Sequence, residues 1–338
     1  MRMIGALAAL FFVSVASPTM AETTRIAEII ERLENANQWR DHIMVIAHRG
    51  GGLTQNRARF PENSIAAVEN AIELGAEMVE IDVQKTKDGI YVVLHDTWLN
   101  RTTTCRGKLI ERTLSDLASC RLVVEGTGQV TQETVPTLAG MLEHTKGRIL
   151  VNIDNKLGME DLVGIAAVAR ESGVESEVVI KQNLWNAEKV AEMRRVMARI
   201  GDGIRFMPIM ADDAVKDVAF LEHATRPFGP DAVEMITWHR KGTGMTDDGG
   251  LLFGARARAV AARGDWHLWV NTIAIEGQPM GPMSGGRGDQ MAVSAGMPEE
   301  IYGFWAEEGA TMIQTDEPAL AIEWLEQNGY RVPYGLTN

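Results

Sequence analysis

Glu80 and Asp82 stand two residues apart in an otherwise apolar run, Met78 to Val83, and His95-Asp96 closes the next one, Ile90 to Leu94. Alternate residues of a strand share a face, so the two carboxylates point the same way. Carboxylate oxygens suit a hard divalent cation, and an imidazole titrates near neutrality and can give or take a proton. Asp88-Gly89 between the runs signals a hairpin, because glycine tolerates the positive φ of tight turns. A hairpin centred there pairs residues whose numbers sum to about 177, which places His95 opposite Asp82. The competing reading is an exposed hairpin with surface carboxylates.

Such groups need a scaffold that brings distant segments together. Eight short apolar runs recur, most with helical stretches between them: Ile43–Ala47, Met78–Val83, Ile149–Ile153, Val178–Ile180, Phe206–Met210, Ala232–Ile236, Leu268–Thr272 and Thr311–Gln314. Eight strands alternating with helices predict an α/β fold, a (β/α)8 barrel, with an open doubly wound sheet as the alternative. In a barrel the strand ends carry the chemistry. Here they supply His48-Arg49, Glu80 and Asp82, Asp154 with Lys156, Lys181, Asn271 and Asp316. Glu80, Asp82 and Asp154 offer only oxygen ligands, which favours one Mg²⁺ or Ca²⁺ over zinc. Arg49 offers a fork of donors and Lys156 a point charge for a phosphoryl group, and His48 and His95 an acid/base pair. The chemistry this predicts is metal-assisted hydrolysis of a phosphate ester.

The 338 residues are within reach of one large barrel, read as a single domain over 22–338. Met1 to Ala21, with Arg2 before an apolar run and Thr19-Met20-Ala21 at its end, reads as a secretory leader too short to span a membrane. The expectation is an exported, periplasmic or secreted protein with no stable membrane anchor. The net charge of −13 argues against nucleic acid as a partner and leaves a small-molecule substrate. Cys105 and Cys120 are the only cysteines, and an oxidising compartment favours their pairing over two free thiols. Arg25 to Trp39 reads as an amphipathic helix, and Gly277–Met297 as a long surface loop.

Several segments together resemble the glycerophosphodiester phosphodiesterases: Ala47-His48-Arg49-Gly50, Pro61-Glu62-Asn63-Ser64, Glu80-Ile81-Asp82-Val83, Val93-Leu94-His95-Asp96, Leu99-Asn100-Arg101-Thr102-Thr103, Val135-Pro136-Thr137-Leu138, Asn152-Ile153-Asp154, Val270-Asn271 and Thr315-Asp316-Glu317-Pro318. The likeness is dense from Ala47 to Lys156 and sparse beyond. It implies a barrel that uses a divalent cation to cleave glycerophosphodiesters to an alcohol and glycerol 3-phosphate. It implies His48 and His95 as the acid/base pair, Glu80, Asp82 and Asp154 as metal ligands, and Arg49 and Lys156 as phosphate contacts. Lys181 and Asn271 join the substrate-binding set by position. The segment of about 97–135 matches the family's small insertion, and both cysteines lie in it.

Three features depart from the family pattern. Asp154 stands where Glu is usual, one carbon shorter. The Gly50–Pro61 loop is longer than usual and carries Arg57 and Arg59, read as a solvated loop or as a contact for an anionic substrate. Trp269 falls one place from the usual aromatic, which moves it across the strand and unsettles the glycerol-side lining. Two further functions fit the same residues: a related sphingomyelinase D-like barrel acting on intact lipids, and a barrel that binds solutes without catalysis.

Overall fold

The computed structural model describes residues 24–275 and 278–335, so the leader assigned to 1–21 lies outside the described residues. Eight parallel strands form the barrel: β1 (Met44–Ala47), β2 (Met78–Lys85), β3 (Leu150–Asn155), β4 (Val178–Asn183), β5 (Arg205–Ala211), β6 (Ala232–Ile236), β7 (His267–Asn271) and β8 (Met312–Thr315). Each pairs with the next, and β1 pairs with both β8 and β2, which closes the sheet on itself. All eight coincide with the apolar runs of the sequence. The open-sheet alternative is excluded by the pairing of Ile46 with Met78 and Ala47 with Val79.

Strand alternation divides the side chains into two sets. Val45, Val79, Ile81, Val151, Ile153, Val233, Val270 and Ile313 join the large outer core with the helices. Met44, Ile46, Met78, Leu150, Val179, Met207, Trp269 and Met312 fill the N-terminal end of the barrel with Ile26, Ile29 and Leu33 of the first helix. That helix runs over Arg25–Glu34 and gives way to turns before Trp39, shorter than its periodicity suggests. Continuing up the interior, the same strand faces become polar, with Glu80, Asp82, Asn152, Lys181, Glu234, Asn271 and Gln314 all buried. The apolar floor thus sets the depth at which charge begins.

β2 continues into an antiparallel arm, Tyr91–Val93. The hairpin forms as expected, with Gly89 at φ 85°, but its register differs by one. Val83 faces Val93 and Gln84 faces Val92. The Leu94 N–H, not that of His95, meets the Asp82 carbonyl at 2.9 Å. The cause is turn length: Thr86 donates to the Ile90 carbonyl at 2.9 Å, leaving a three-residue loop rather than a two-residue one, and one extra residue slides the return strand by one place.

Beyond the arm, the 97–135 segment holds a short ladder of Arg121–Val124 with Gln129–Thr134 and a capped turn of helix, Leu114–Leu117. Leu99, Leu109, Leu117, Leu122 and Val135 pack with Val92 and Leu94 into a small core of their own. Cys105 and Cys120 are disulfide-bonded across it, their Cα atoms 5.3 Å apart. The surface-loop reading of 277–297 needs correction over its described part. Residues Asp289–Ser294 are helical, and Ser284, Arg287, Asp289 and Ala292 are buried. Arg287 stacks on Phe304, 3.6 Å from the ring centroid, and donates to the Thr246 and Glu300 carbonyls. Glycine content suggested a loop; polar burial anchors it. Among the described residues no helix is long and apolar enough to cross a membrane.

His267 at the floor makes a stability prediction. It is fully buried, with Nε2 on the Arg32 carbonyl at 3.0 Å and Nδ1 on the Thr311 hydroxyl at 2.9 Å. Burial pushes it down to about 4. Between that value and the ordinary one near 6.5, the unfolded chain binds the proton and the folded chain does not, so stability falls as pH drops through this window. The loss reaches about 3 kcal/mol near pH 4 and levels off within about one pH unit below it. His267→Gln keeps one donor and one acceptor without titrating, so its urea midpoint should change less than wild type's between pH 7 and pH 5. An equal change would refute the assignment.

Candidate active site

The turn after β1 places the first histidine. Residues His48–Gly50 form a tight turn in which Arg49, Gly50 and Gly51 have φ of 50°, 87° and 63°. At Gly50 a Cβ would lie 2.8 Å from the Ala67 Cβ, so only glycine fits the close approach to the following helix. The turn aims His48 into the barrel mouth. Its Nδ1 meets Asp316 Oδ1 at 2.7 Å, which leaves Nε2 toward Glu80 Oε2, 3.9 Å away. Burial, the largest influence, lowers the imidazole, but Asp316 and Glu80 outweigh it and Arg49, and His48 ends above its ordinary value.

The arm places the second. His95 Nδ1 meets Asp96 Oδ1 at 2.7 Å, and Arg101 of the insertion grips Asp96 through Nε at 2.8 Å and Nη2 at 2.9 Å. Despite its burial, Asp96 is held down to about 2 by Arg101 and His95. His95 itself is lowered by burial more than the Asp82 charge raises it. Arg101 also binds Glu62 at 2.6 Å, and Glu62 accepts from Arg49 at 2.9 Å. An Arg101→Leu variant should therefore lose about tenfold in kcat, because Asp96 would be free to release the imidazole. Steady-state rates beside an unchanged melting curve would check it; undiminished kcat would refute it.

One oxygen from each of Glu80, Asp82 and Asp154 lies within 4.8 Å of the others. The parallel register of β2 and β3 sets Asp82 directly beside Asp154. Lys156 spans that pair, 2.9 Å from Asp82 and 2.7 Å from Asp154. Arg49 Nε lies 3.2 Å from Asp82, and Asn63, at φ 60°, both donates to the Asp82 carboxylate at 2.8 Å and accepts its N–H at 3.0 Å. Burial would raise Asp82, yet Arg49 and Lys156 hold it far below the usual carboxylate range. Glu80 is pushed up to about 7 by burial and by the Asp82 charge.

These groups line one cavity of about 550 Å³ at the C-terminal end of the strands, with His48, Arg49, Glu80, His95, Asp154, Lys156, Lys181 and Asn271 on its wall. Asp82 lies directly behind. Lys181 is only 5% exposed, and its ammonium is 3.2 Å from Glu234, which also accepts from Asn271 at 2.7 Å. Trp269 donates to Asn271 at 2.7 Å and belongs to the apolar floor, not to the cavity wall. The apolar wall comes instead from Ile209, Ile236, Ile273, Ala274, Ile275 and Met283. Arg57 and Arg59 are exposed and do not line this cavity. Sequence reasoning gave no role to Asp316, Asp96, Arg101, Glu62, Asn63 and Glu234. Asp316 stood at a strand end, Asp96, Glu62, Asn63 and Arg101 stood in the family-like segments, and Glu234 is a charged residue at the centre of an apolar strand; none of these signals says which group each one holds.

Fold and site together define a closed (β/α)8 barrel whose mouth joins an acidic triad to two imidazoles, each tied to a carboxylate. The chain belongs to the glycerophosphoryl diester phosphodiesterase family, whose model matches residues 48–202. A second model, for a domain of unknown function, matches residues 206–325. A glycerophosphodiester phosphodiesterase of Caldanaerobacter subterraneus subsp. tengcongensis is 32% identical over 168 residues, 48% of this chain and 66% of that protein. The matches span about half to two thirds of the length of such curated relatives. A glycerophosphoryl diester phosphodiesterase structure from Parabacteroides distasonis superposes with a TM-score of 0.64 at 19% identity, over 94% of this chain and 95% of that one. A phosphodiesterase structure from Oleispira antarctica, solved with the product sn-glycerol-3-phosphate, superposes with a TM-score of 0.52 at 18% identity, over 84% and 96%.

Proposed function

We propose that this protein hydrolyses glycerophosphodiesters to an alcohol and glycerol 3-phosphate, with a divalent cation. The observation that carries the reading is the meeting, in one cavity, of the acidic triad with two imidazoles whose Nδ1 atoms are both held at 2.7 Å by carboxylates. That tether fixes each ring and leaves Nε2 for proton transfer. Water adds to phosphorus through a new P–O bond as the ester P–O bond breaks. One imidazole takes the proton from the water and the other gives one to the leaving alkoxide. Arg49, with its Nη1 on Glu62, and Lys156, between two carboxylates, would neutralise the non-bridging oxygens.

The triad fits a hard cation. Its donors are all carboxylate oxygens, and Asp154, though shorter than Glu, still brings an oxygen within the 4.8 Å group. When bound, the ion would supply positive charge to the phosphoryl oxygens. The family and the relatives' names support this substrate class, and the product seen in the Oleispira antarctica neighbour is in line with it. The Cys105–Cys120 bond supports an oxidising compartment, as export would provide. A panel of glycerophosphodiesters assayed after chelation and with Mg²⁺ or Ca²⁺ restored tests the reading: glycerol 3-phosphate should appear only with cation. No release from any diester with either ion would overturn it.

A further inference from the structure

We infer that Asp289 is a positioning residue for His48, acting through Asp316; the inference rests on the hydrolase reading above. Asp289 is 2% exposed, and no cation pairs with it among the described residues. A buried carboxylate without a counter-charge is costly unless donors surround it. Here they do. The Thr272 hydroxyl donates to Oδ1 at 2.7 Å and the Tyr302 hydroxyl reaches it at 3.2 Å, while the Asp316 N–H donates to Oδ2 at 2.8 Å. The Asp289 N–H donates in turn to the Thr272 carbonyl at 2.8 Å.

Those contacts fix the two chain segments that hold the His48 partner. Thr272 follows β7 and lies two residues before Ala274, whose N–H donates to Asp316 Oδ2 at 2.8 Å. Asp316 follows β8, and its other oxygen binds His48 Nδ1. One oxygen of Asp316 is thus pinned by the β7 segment, the other by the imidazole, and its backbone by Asp289. The ladder still joins β7 to β8 through the Thr272 N–H on the Gln314 carbonyl at 2.9 Å, but loosening Asp289 releases the Asp316 N–H beyond it, and the Asp316 carboxylate can then turn away from Nδ1. His95 has a different support, the exposed fork of Arg101, so the two imidazoles are braced independently. Asp289 lies outside the 48–202 match and inside the segment whose composition suggested a loop.

Asp289→Asn keeps the shape but puts an amide N–H among converging donors, so at least one hydrogen bond is lost. Proton NMR reads the consequence without requiring turnover. The proton shared between His48 Nδ1 and Asp316 resonates far downfield and is assigned by its loss in His48→Asn. In Asp289→Asn that resonance should move upfield or broaden away, with kcat reduced about 30-fold and KM within about twofold of wild type. Thr272→Val, which removes one donor, should move both readouts the same way, with kcat reduced about fivefold. If Asp289→Asn does not fold, Thr272→Val decides. A resonance unmoved in the folded variants, or a raised KM at unchanged kcat, overturns the inference. Wild-type protein that hydrolyses no diester overturns the hydrolase reading alone, because the NMR arm still tests the positioning.

Discussion

Replacing His48 by Asn lowers kcat by about three orders of magnitude, with the cation still bound. The size follows from what the imidazole contributes. A positioned acid or base accelerates proton transfer about 10²- to 10⁴-fold, and a thousandfold loss corresponds to about 4 kcal/mol of barrier. His48 is in place for that role at a small conformational cost, because Asp316 holds Nδ1 at 2.7 Å and the left-handed turn through Gly51 directs the ring. Asn at the same position can still reach Asp316 and carries no titratable group. Cation affinity should change little, since Glu80, Asp82 and Asp154 remain. Release of glycerol 3-phosphate under saturating substrate, beside calorimetric cation binding, separates the two effects. His95→Asn should behave alike. Turnover within tenfold of wild type in either variant would remove that histidine from the mechanism.

Glu80→Gln gives the second large effect, with cation affinity down about 100-fold and kcat/KM down about 1000-fold at fixed cation. Glu80 is 1% exposed and faces both Asp82 and Asp154, while Lys181 and His48 supply the nearby positive charge. The amide keeps the shape and removes one of three negative charges. The two remaining triad carboxylates, Asp82 and Asp154, already face Arg49 and Lys156, so the site attracts a cation far less strongly. Raising the cation concentration should recover part of the rate, and a chelator should abolish wild-type turnover reversibly. Turnover that persists fully in chelator would show that the acidic triad serves only to hold its lysines and arginine.

Much of this site was legible because its residues end apolar runs. Glu80, Asp82, Asp154, Lys181 and Asn271 lie on strands whose period of two and parallel order can be read from sequence, and parallel neighbours bring strand ends together. His48 and Arg49 follow the first strand directly. The partners were not legible. Asp316 lies 268 residues from His48, and Glu62 and Arg101 are 39 apart. Nothing local marks Asp289 as buried, since glycines and methionines surround it in the chain.

The sequence by itself determined the eight strands, the hairpin with Gly89 at its turn, and that Glu80 and Asp82 share a face. These follow from periodicity and from the backbone freedom of glycine, both local properties. Tertiary structure alone decided how that interior is used. It slid the arm by one residue, because a three-residue turn satisfied Thr86 and Ile90. It drew Lys181 and Asn271 onto Glu234, because buried charges need partners. It gave each histidine its own carboxylate from elsewhere on the barrel rim or from its own neighbour. Which polar groups pair depends on distances through space, and these exist only once the barrel has closed.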